Sequence, residues 1–173
     1  MSNEMKRLTA PRSWPVKRKS SHWITKPSPG AHAVEDSIPV NVVLRDMLHV
    51  CRTGAEVRAV IFDKGIMVDG KTVTSAKQGI GLMDVVTLPK SGAAYRMVMD
   101  RRGKLQLVQI PQEKTAWKLC RIDDKTVLSG GKVQLNLHDG RNILVEKDGY
   151  KTGDVLKIAV PEQKVMEHYS LSK

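Results

Sequence analysis

Aromatic side chains and long apolar runs are both scarce in this sequence. Aromatic residues make up 4% of the 173 residues, with a single Phe, so a hydrophobic core must be built mainly from Val, Ile, Leu and Met. The longest purely apolar runs are a few residues, as at Val85-Val86, far short of the ~20 residues of a membrane-spanning helix. No apolar stretch follows the charged residues of the N-terminal segment 1–9, so no secretory signal is predicted.

Cysteine and the usual catalytic patterns are also sparse. Cys51 and Cys120 are far apart and outside any Cys-x-x-Cys pair, which favours free thiols in a reducing, cytoplasmic compartment over a disulfide. The carboxylates are dispersed and no Gly-x-Ser-x-Gly motif occurs. The histidines, at positions 22, 32, 49, 138 and 168, lack metal-ligand spacing. We therefore predict no catalytic residue, no metal and no enzymatic activity.

Positive charge is what the sequence has in excess. Lys and Arg number 29 against 18 Asp and Glu, giving a net charge of +11 and a sequence pI of about 9.8. Such a balance favours polyanionic partners, either nucleic acid or an anionic membrane. Because no apolar run supports a membrane, nucleic acid is the predicted partner.

The charge is concentrated at the N-terminus. The first 30 residues hold seven basic residues and one acid, for a net of +6, together with four of the eight prolines. Proline disfavours long helices and central strands, so we predict an extended basic arm over residues 1–37, poorly ordered when alone. Trp14, His22 and Trp23 are interleaved with the charge and would stack on bases or sugars. A solvated tail, or indoles packed on a neighbouring domain, are the alternatives.

Two short helices are predicted next. From Ile38 onward, apolar residues from Val40 to Cys51 recur at spacings of three and four, which indicates one buried helical face and makes Cys51 a core residue. Thr53 and Glu56 fit a capping box that starts a second helix, with Arg58 on its exposed face. Gly65 fits the left-handed residue that ends it.

The rest of the chain indicates short antiparallel strands. Residues 66–68, 73–74 and 82–88 favour strands around an Asp69-Gly70 turn. Alternating apolar and polar residues follow over 95–99, 104–110, 133–137 and 143–145, with a further strand at 154–160, and Gly-containing turns separate most of them. This pattern predicts a small antiparallel sheet or barrel. The predicted fold class is therefore α+β, with domains at 1–37, 38–90 and 91–173.

Residues 65–72 match the phosphate-loop pattern G-x-x-x-x-G-K-[ST] letter for letter. A real phosphate loop leaves a strand and enters a helix whose N-terminal amides receive the phosphate. Here a predicted helix precedes Gly65 and no helical period follows Thr72. We therefore interpret the segment as a helix end and a hairpin turn, without a nucleotide cofactor.

Two helices, a Gly, then Val-Asp-Gly-Lys and a strand ending Met-Asp-Val-Val resemble the alpha-L RNA-binding motif, in which two short helices pack on a small twisted sheet. Further segments, in order and at suitable spacing, resemble the ribosomal protein S4e family of archaea and eukaryotes. They are Lys6 to Pro11, Trp14-Pro15, Lys17 to Lys19, Pro27 to Gly30, His32, Leu44 to Asp46, Val68 to Lys71, Gly81 to Val85, Trp117 to Cys120 and residues 130–139. That family usually continues into a KOW-type β-barrel, and we expect this barrel to be absent here, since the sequence stops near where it would begin.

The resemblance implies a structural constituent of the small ribosomal subunit, located on cytoplasmic ribosomes. Its implied partners are small-subunit ribosomal RNA and neighbouring ribosomal proteins, with no cofactor, and the free protein is expected to be a monomer. The alternative is a free RNA-binding regulator or RNA-modification accessory factor. The predicted RNA contacts are Lys6, Arg7, Arg12, Trp14, Lys17, Arg18, Lys19, His22 and Lys26 in the arm, Arg45, Arg52, Arg58 and Lys64 on the helices, and Lys71 and Lys77 in the turns that follow.

Overall fold

A computed structural model describes residues 4–146 and 149–171 of the chain. The described residues contain a few short helices and mostly antiparallel sheets, so the predicted mixture of helix and antiparallel strand is confirmed. None of the helices in the described ranges combines the length and apolar character needed to cross a membrane.

The N-terminal segment is folded against the rest of the protein. Strands β1 (Glu4–Lys6) and β2 (Trp23–Thr25) pair antiparallel, with a 3-10 turn at Arg7–Thr9 between them. The Trp14 ring is buried in the first hydrophobic core, and its Nε1 donates to the Ser37 carbonyl oxygen at 2.7 Å. The prediction of an extended arm is therefore wrong, because the apolar side chains among its charges pack on a neighbouring core.

The two predicted helices are present, the first in shortened form. A single turn α1 (Val40–Val42) runs into a π-helical stretch at Val43–Met47, and α2 spans Gly54–Phe62. Thr53 caps α2: its hydroxyl accepts a hydrogen bond from the Glu56 amide at 3.3 Å, while the Glu56 carboxylate accepts from the Arg52 amide at 2.7 Å. Glu56 thus reaches one residue beyond the cap, and the predicted helix start is confirmed.

The end of α2 differs from the prediction in one residue. Lys64, with φ of 52°, adopts the left-handed conformation that we predicted for Gly65. Gly65 is required for a different reason: its amide donates to the Val60 carbonyl oxygen at 2.8 Å, and a Cβ at this position would lie 3.0 Å from that oxygen. The close approach of two backbone segments, and not a positive φ, therefore selects glycine.

The first large sheet contains the phosphate-loop look-alike. The strands of this region are β3 (Ser37–Pro39), β4 (Met67–Val68), β5 (Lys71–Thr72), β6 (Gly79–Gly81), β7 (Val85–Leu88), β8 (Ala93–Met99) and β9 (Leu105–Ile110). The strand order in the sheet is β5-β4-β7-β8-β9, all neighbours antiparallel, and a separate pair joins β3 to β6. The turn between β4 and β5 has positive φ at both Asp69 and Gly70, the signature of a type I′ hairpin turn. The predicted hairpin is therefore confirmed.

The second sheet encloses a separate hydrophobic core. Its strands are β10 (Trp117–Val127), β11 (Val133–Leu137), β12 (Asn142–Val145), β13 (Val155–Ala159) and β14 (Val165–Tyr169). Their order is β12-β11-β10-β13-β14, with every neighbouring pair antiparallel, and a 3-10 turn at Gln112–Ala116 leads into the sheet. The buried apolar residues form two clusters, one ending at Leu105 and one starting at Cys120. The cores thus divide near residue 110, although the sheet of the first core crosses the predicted boundary at residue 90.

Candidate nucleic-acid interface

Two neighbouring grooves bring together basic side chains from separate parts of the chain. The first groove, of about 340 Å³, is lined by Lys26 beside β2, Arg45 in the π-helical stretch and Lys77 in the turn before β6. The second groove, of about 580 Å³, is lined by Arg58 of α2 and again by Lys77. None of the described residues that line either groove carries a carboxylate, so both present positive charge to solvent.

A third groove joins this surface through Arg45. It is lined by Lys17, Arg45 and Arg52, but it also contains Asp46, whose Oδ2 lies 3.6 Å from the Arg45 guanidinium. The three grooves together form one continuous basic surface around the helices, which we call the basic face. The basic face is defined by Lys17, Lys26, Arg45, Arg52, Arg58 and Lys77.

Two exposed aromatic rings lie in these grooves. Trp23 is 54% exposed and lines the first groove, and Phe62 is 88% exposed and lines the second. Trp23 was among the rings expected to stack on bases or sugars, although it is not in the predicted set of RNA contacts, and Phe62 was not predicted at all. Phe62 is four residues after Arg58 on α2, so helical spacing places both on one side. This spacing, in a chain with one Phe, is the signal that could have identified it.

Three of the predicted RNA contacts are instead used inside the protein. Arg7 is buried, and its Nη2 lies 2.9 Å from an Asp46 carboxylate oxygen. The Arg18 guanidinium donates to the carbonyl oxygens of Leu8 and Pro11, each at 3.0 Å. The prediction that Arg7 and Trp14 contact RNA is wrong for this fold, because both side chains are buried, and Arg18 holds the turns of the N-terminal segment together.

The remaining predicted RNA contacts lie on the surface but do not line any of the three grooves. His22 packs edge-on against Trp23, with ring centroids 4.5 Å apart. Lys64 follows α2, and Lys71 lies in the β4–β5 hairpin. The predicted RNA contacts that are exposed but do not line any of the three grooves are Lys6, Arg12, Lys19, His22, Lys64 and Lys71.

A buried ionic cluster joins the two sheets. The Lys118 ammonium, with a side chain 1% exposed, contacts carboxylate oxygens of Asp69, Asp84 and Asp139 at 2.7, 2.8 and 2.6 Å. Arg141 contacts Asp69 at 2.6 Å and Asp139 at 3.2 Å. Asp69 and Asp84 lie in turns of the first sheet, whereas Lys118 lies in β10 and Asp139 and Arg141 lie between β11 and β12 of the second. We call this group the Lys118 cluster and infer that it locks the two sheets together.

The cluster shifts the pKa values of its members. Burial disfavours the charged form of Asp84, but the hydrogen bond from His32 at 3.0 Å and the Lys118 charge lower its pKa to about 2. Burial and the neighbouring Asp84 charge raise the pKa of Asp69. For Lys118, burial opposes protonation, but three carboxylates outweigh it and raise the pKa. The ammonium therefore stays charged and takes the position that a bound cation would have among three carboxylates.

Sequence reasoning missed this cluster, although a signal was present. In β10, Lys118 alternates with the same parity as Cys120 and Ile122, both fully buried. A strand places residues two apart on one face, so Lys118 is predicted to point inward once the strand is recognised.

Comparison with known proteins places the chain among ribosomal proteins. Residues 91–165 match the family described as Ribosomal family S4e, and residues 1–35 match the RS4NT (NUC023) domain. The small ribosomal subunit protein eS4 of Methanothermobacter thermautotrophicus is 43% identical over 169 residues, covering 98% of this chain and 69% of the relative. The eS4 protein of Korarchaeum cryptofilum is 42% identical over 167 residues, covering 96% and 71%.

A solved structure is also similar. The crystal structure of the 30S ribosomal protein S4e from Thermoplasma acidophilum superposes with a TM-score of 0.69 and 32% sequence identity. The match covers 79% of this chain and 70% of that one. The similarity therefore covers most of the arrangement of helices and sheets described above.

Proposed function

Because the chain belongs to the S4e family of ribosomal proteins, we propose that it is a structural constituent of the small ribosomal subunit and binds its ribosomal RNA. The observation that carries this proposal is the pair of adjoining grooves that share Lys77 and have no carboxylate among their described lining residues. The names of the relatives as small ribosomal subunit proteins support the same role. We further propose that the protein is not an enzyme, that it is located on the ribosome, and that other ribosomal proteins are its neighbours there.

Residues 38–90 are proposed to form an alpha-L RNA-binding domain that presents α2 and the turn at Lys77 to RNA. Residues 1–37 pack against this domain and add Lys26 and Trp23 to the same surface. The first sheet continues through β9, and the second sheet, which starts with β10, forms the further β domain, held to the first sheet by the Lys118 cluster. RNA would thus contact a surface assembled from segments far apart in sequence, which suits recognition of RNA shape over a base code.

Affinity is expected to come mainly from phosphate neutralisation. Each Lys or Arg that neutralises a phosphate releases condensed counterions, and this makes the affinity depend on salt. Arg45 and Arg58 project from packed helical segments, so the backbone at both positions is fixed before RNA arrives. Preorganised cations lose less side-chain freedom on binding than cations on an unfolded arm would lose.

The test measures affinity for a small-subunit ribosomal RNA transcript as a function of salt concentration. Changing Arg45, Arg58 and Lys77 to alanine together should reduce the magnitude of the log–log slope by about 2–3 units, at ~0.7–0.9 for each phosphate that is no longer neutralised. Because these side chains are at least partly exposed, each change should alter the free energy of unfolding by only about 0.5 kcal/mol. The control is Lys164→Ala, an exposed lysine after β13 that pairs with Glu162, and its slope should equal that of the wild type.

Sedimentation of the tagged protein in a cell lysate separates the proposal from the alternative of a free RNA-binding regulator. A structural constituent should migrate with small subunits and remain there through moderate salt washes. A pool that stays at the top of the gradient would contradict the proposal.

A further inference from the structure

The second groove has an exposed aromatic wall and a rigid opposite wall. Phe62, the last residue of α2, forms the first wall, and Arg58 lies one turn earlier in the helix. Residues 74–77 form the opposite wall. There the Ala76 carbonyl oxygen accepts a hydrogen bond from the backbone amide of Asn41 at 3.0 Å, and Ser75 Oγ accepts one from the backbone amide of Lys77 at 3.2 Å. The groove is therefore held open by backbone contacts before any ligand binds.

Asn41 lines the second groove. Its side-chain amide donates to the Thr25 hydroxyl oxygen at 2.5 Å. Its Oδ1 is buried and has no hydrogen-bond partner within the described residues. The second groove therefore contains a polar side chain whose hydrogen bonds within the protein are incomplete.

The first groove repeats this combination of an aromatic ring and basic side chains. Trp23 lines it together with Arg45, and Lys77 lies on the boundary with the second groove. Paired bases in an RNA duplex are stacked on one another and do not offer their faces to a protein ring, whereas unpaired bases do. Two exposed rings on either side of a shared lysine therefore fit single-stranded RNA better than a duplex.

We infer that the basic face binds an unpaired stretch of RNA, with one base against Phe62, another against Trp23 and the phosphate between them at Lys77. This inference rests on the proposed function and specifies the form of RNA that the surface takes. Aromatic stacking supplies affinity that depends little on salt, and Lys77 supplies affinity that falls as salt rises. The two kinds of contact can therefore be separated by experiment.

The test uses Phe62→Ala and Trp23→Ala on the full chain, with the ribosomal RNA transcript and an oligouridine of about 12 nucleotides as probes. Each substitution should weaken binding to both probes by roughly 5- to 100-fold, as expected when one base stack is removed, and leave the salt slope unchanged. Phe62→Trp should restore binding, because indole also stacks. Tyr169→Ala is the matched control, since this exposed aromatic residue lies in β14 of the second sheet, and it should leave both affinities unchanged.

Equal binding of oligouridine and of a duplex of the same length would overturn the inference. So would unchanged transcript affinity in the two ring variants, which would leave Phe62 available to a protein neighbour instead. Both results are compatible with the proposed function, provided that the wild type binds the transcript with a salt-dependent affinity. The proposed function itself fails if the wild type does not bind the transcript.

Discussion

His32 shows how one side chain can link the N-terminal segment to the first sheet. Its Nε2 lies 3.0 Å from Asp84, and its side chain is 4% exposed. The ring packs so closely on Gly81 that a Cβ there would lie 2.3 Å from ring atoms. The absence of a side chain at Gly81 thus makes room for the imidazole, which in turn holds the carboxylate that Lys118 contacts.

The protonation of His32 should make stability depend on pH. Burial lowers its pKa, but the hydrogen bond to Asp84 and the Asp84 charge outweigh burial, so its pKa in the folded protein lies above the usual 6.5. A group whose pKa is raised by folding stabilises the folded state fully below its unfolded pKa and loses this contribution as pH rises through the folded value. We therefore expect His32→Gln to cost most stability at about pH 5.5, and progressively less as pH rises above about 6.5.

Urea unfolding of the wild type and of His32→Gln across this pH range measures the difference. His22→Gln is the control, because it removes an exposed imidazole that contacts the Trp23 ring and not the Lys118 cluster. A His32→Gln cost that stays constant, or grows, as pH rises would show that the imidazole is held as a neutral ring.

Among the elements, the N-terminal segment departs most from its predicted form, and two tryptophans in it allow a direct comparison. Trp14 is 1% exposed and Trp23 is 54% exposed. Trp14→Ala should lower the free energy of unfolding by about 3–5 kcal/mol through loss of buried area and the cavity left behind. Trp23→Ala should cost about 1 kcal/mol or less, since its ring is largely in solvent. Chemical denaturation of the RNA-free protein measures the free energy of unfolding of both variants. Similar small losses for both would support the original prediction of an arm that does not pack on the core.

Local signals predicted some elements well and others poorly. The start of α2 and the β4–β5 hairpin depend on neighbouring residues, namely a capping threonine and an Asp69-Gly70 turn, so the sequence contains what determines them. The position of the N-terminal segment depends on Trp14 meeting Ser37, which is 23 residues away. Charge and proline content describe the exposed part of such a segment but contain no signal for that long-range contact.

At the scale of the whole molecule, the presence of a basic surface was predictable but its shape was not. The basic residues predicted on the helices and in the turn near Lys77 include Arg45, Arg58 and Lys77, and the structure brings these three onto one surface. Partners inside the protein decide which basic side chains face solvent. Arg7 pairs with Asp46, and Arg18 donates to the carbonyl oxygens of Leu8 and Pro11, so these two predicted contacts are used internally. The grooves also form between segments distant in sequence, and neither periodicity nor spacing indicates which of these segments become neighbours.

The two hydrophobic cores are joined by polar contacts that no apolar pattern indicates. Besides the Lys118 cluster, Arg96 in β8 donates to the carbonyl oxygens of Lys114 and Trp117, both at 2.7 Å, and its guanidinium lies 4.2 Å from the Trp117 ring centroid. A buried ion network stabilises poorly compared with apolar packing, but removing one of its members leaves the remaining charges buried without compensation. The cluster should therefore make the two cores unfold together.

Lys118→Met tests this coupling directly. The substitution keeps a long unbranched side chain but leaves Asp69, Asp84 and Asp139 without the ammonium, so we expect a loss of about 3–5 kcal/mol in the free energy of unfolding. Because the uncompensated carboxylates lie between the two sheets, separating the sheets hydrates them while each core stays packed. Calorimetry should therefore change from one cooperative transition, with equal calorimetric and van't Hoff enthalpies, to two. Lys90→Met, an exposed lysine paired with Asp63, should retain the single transition, and one barely shifted transition in Lys118→Met would show that apolar contacts alone couple the cores.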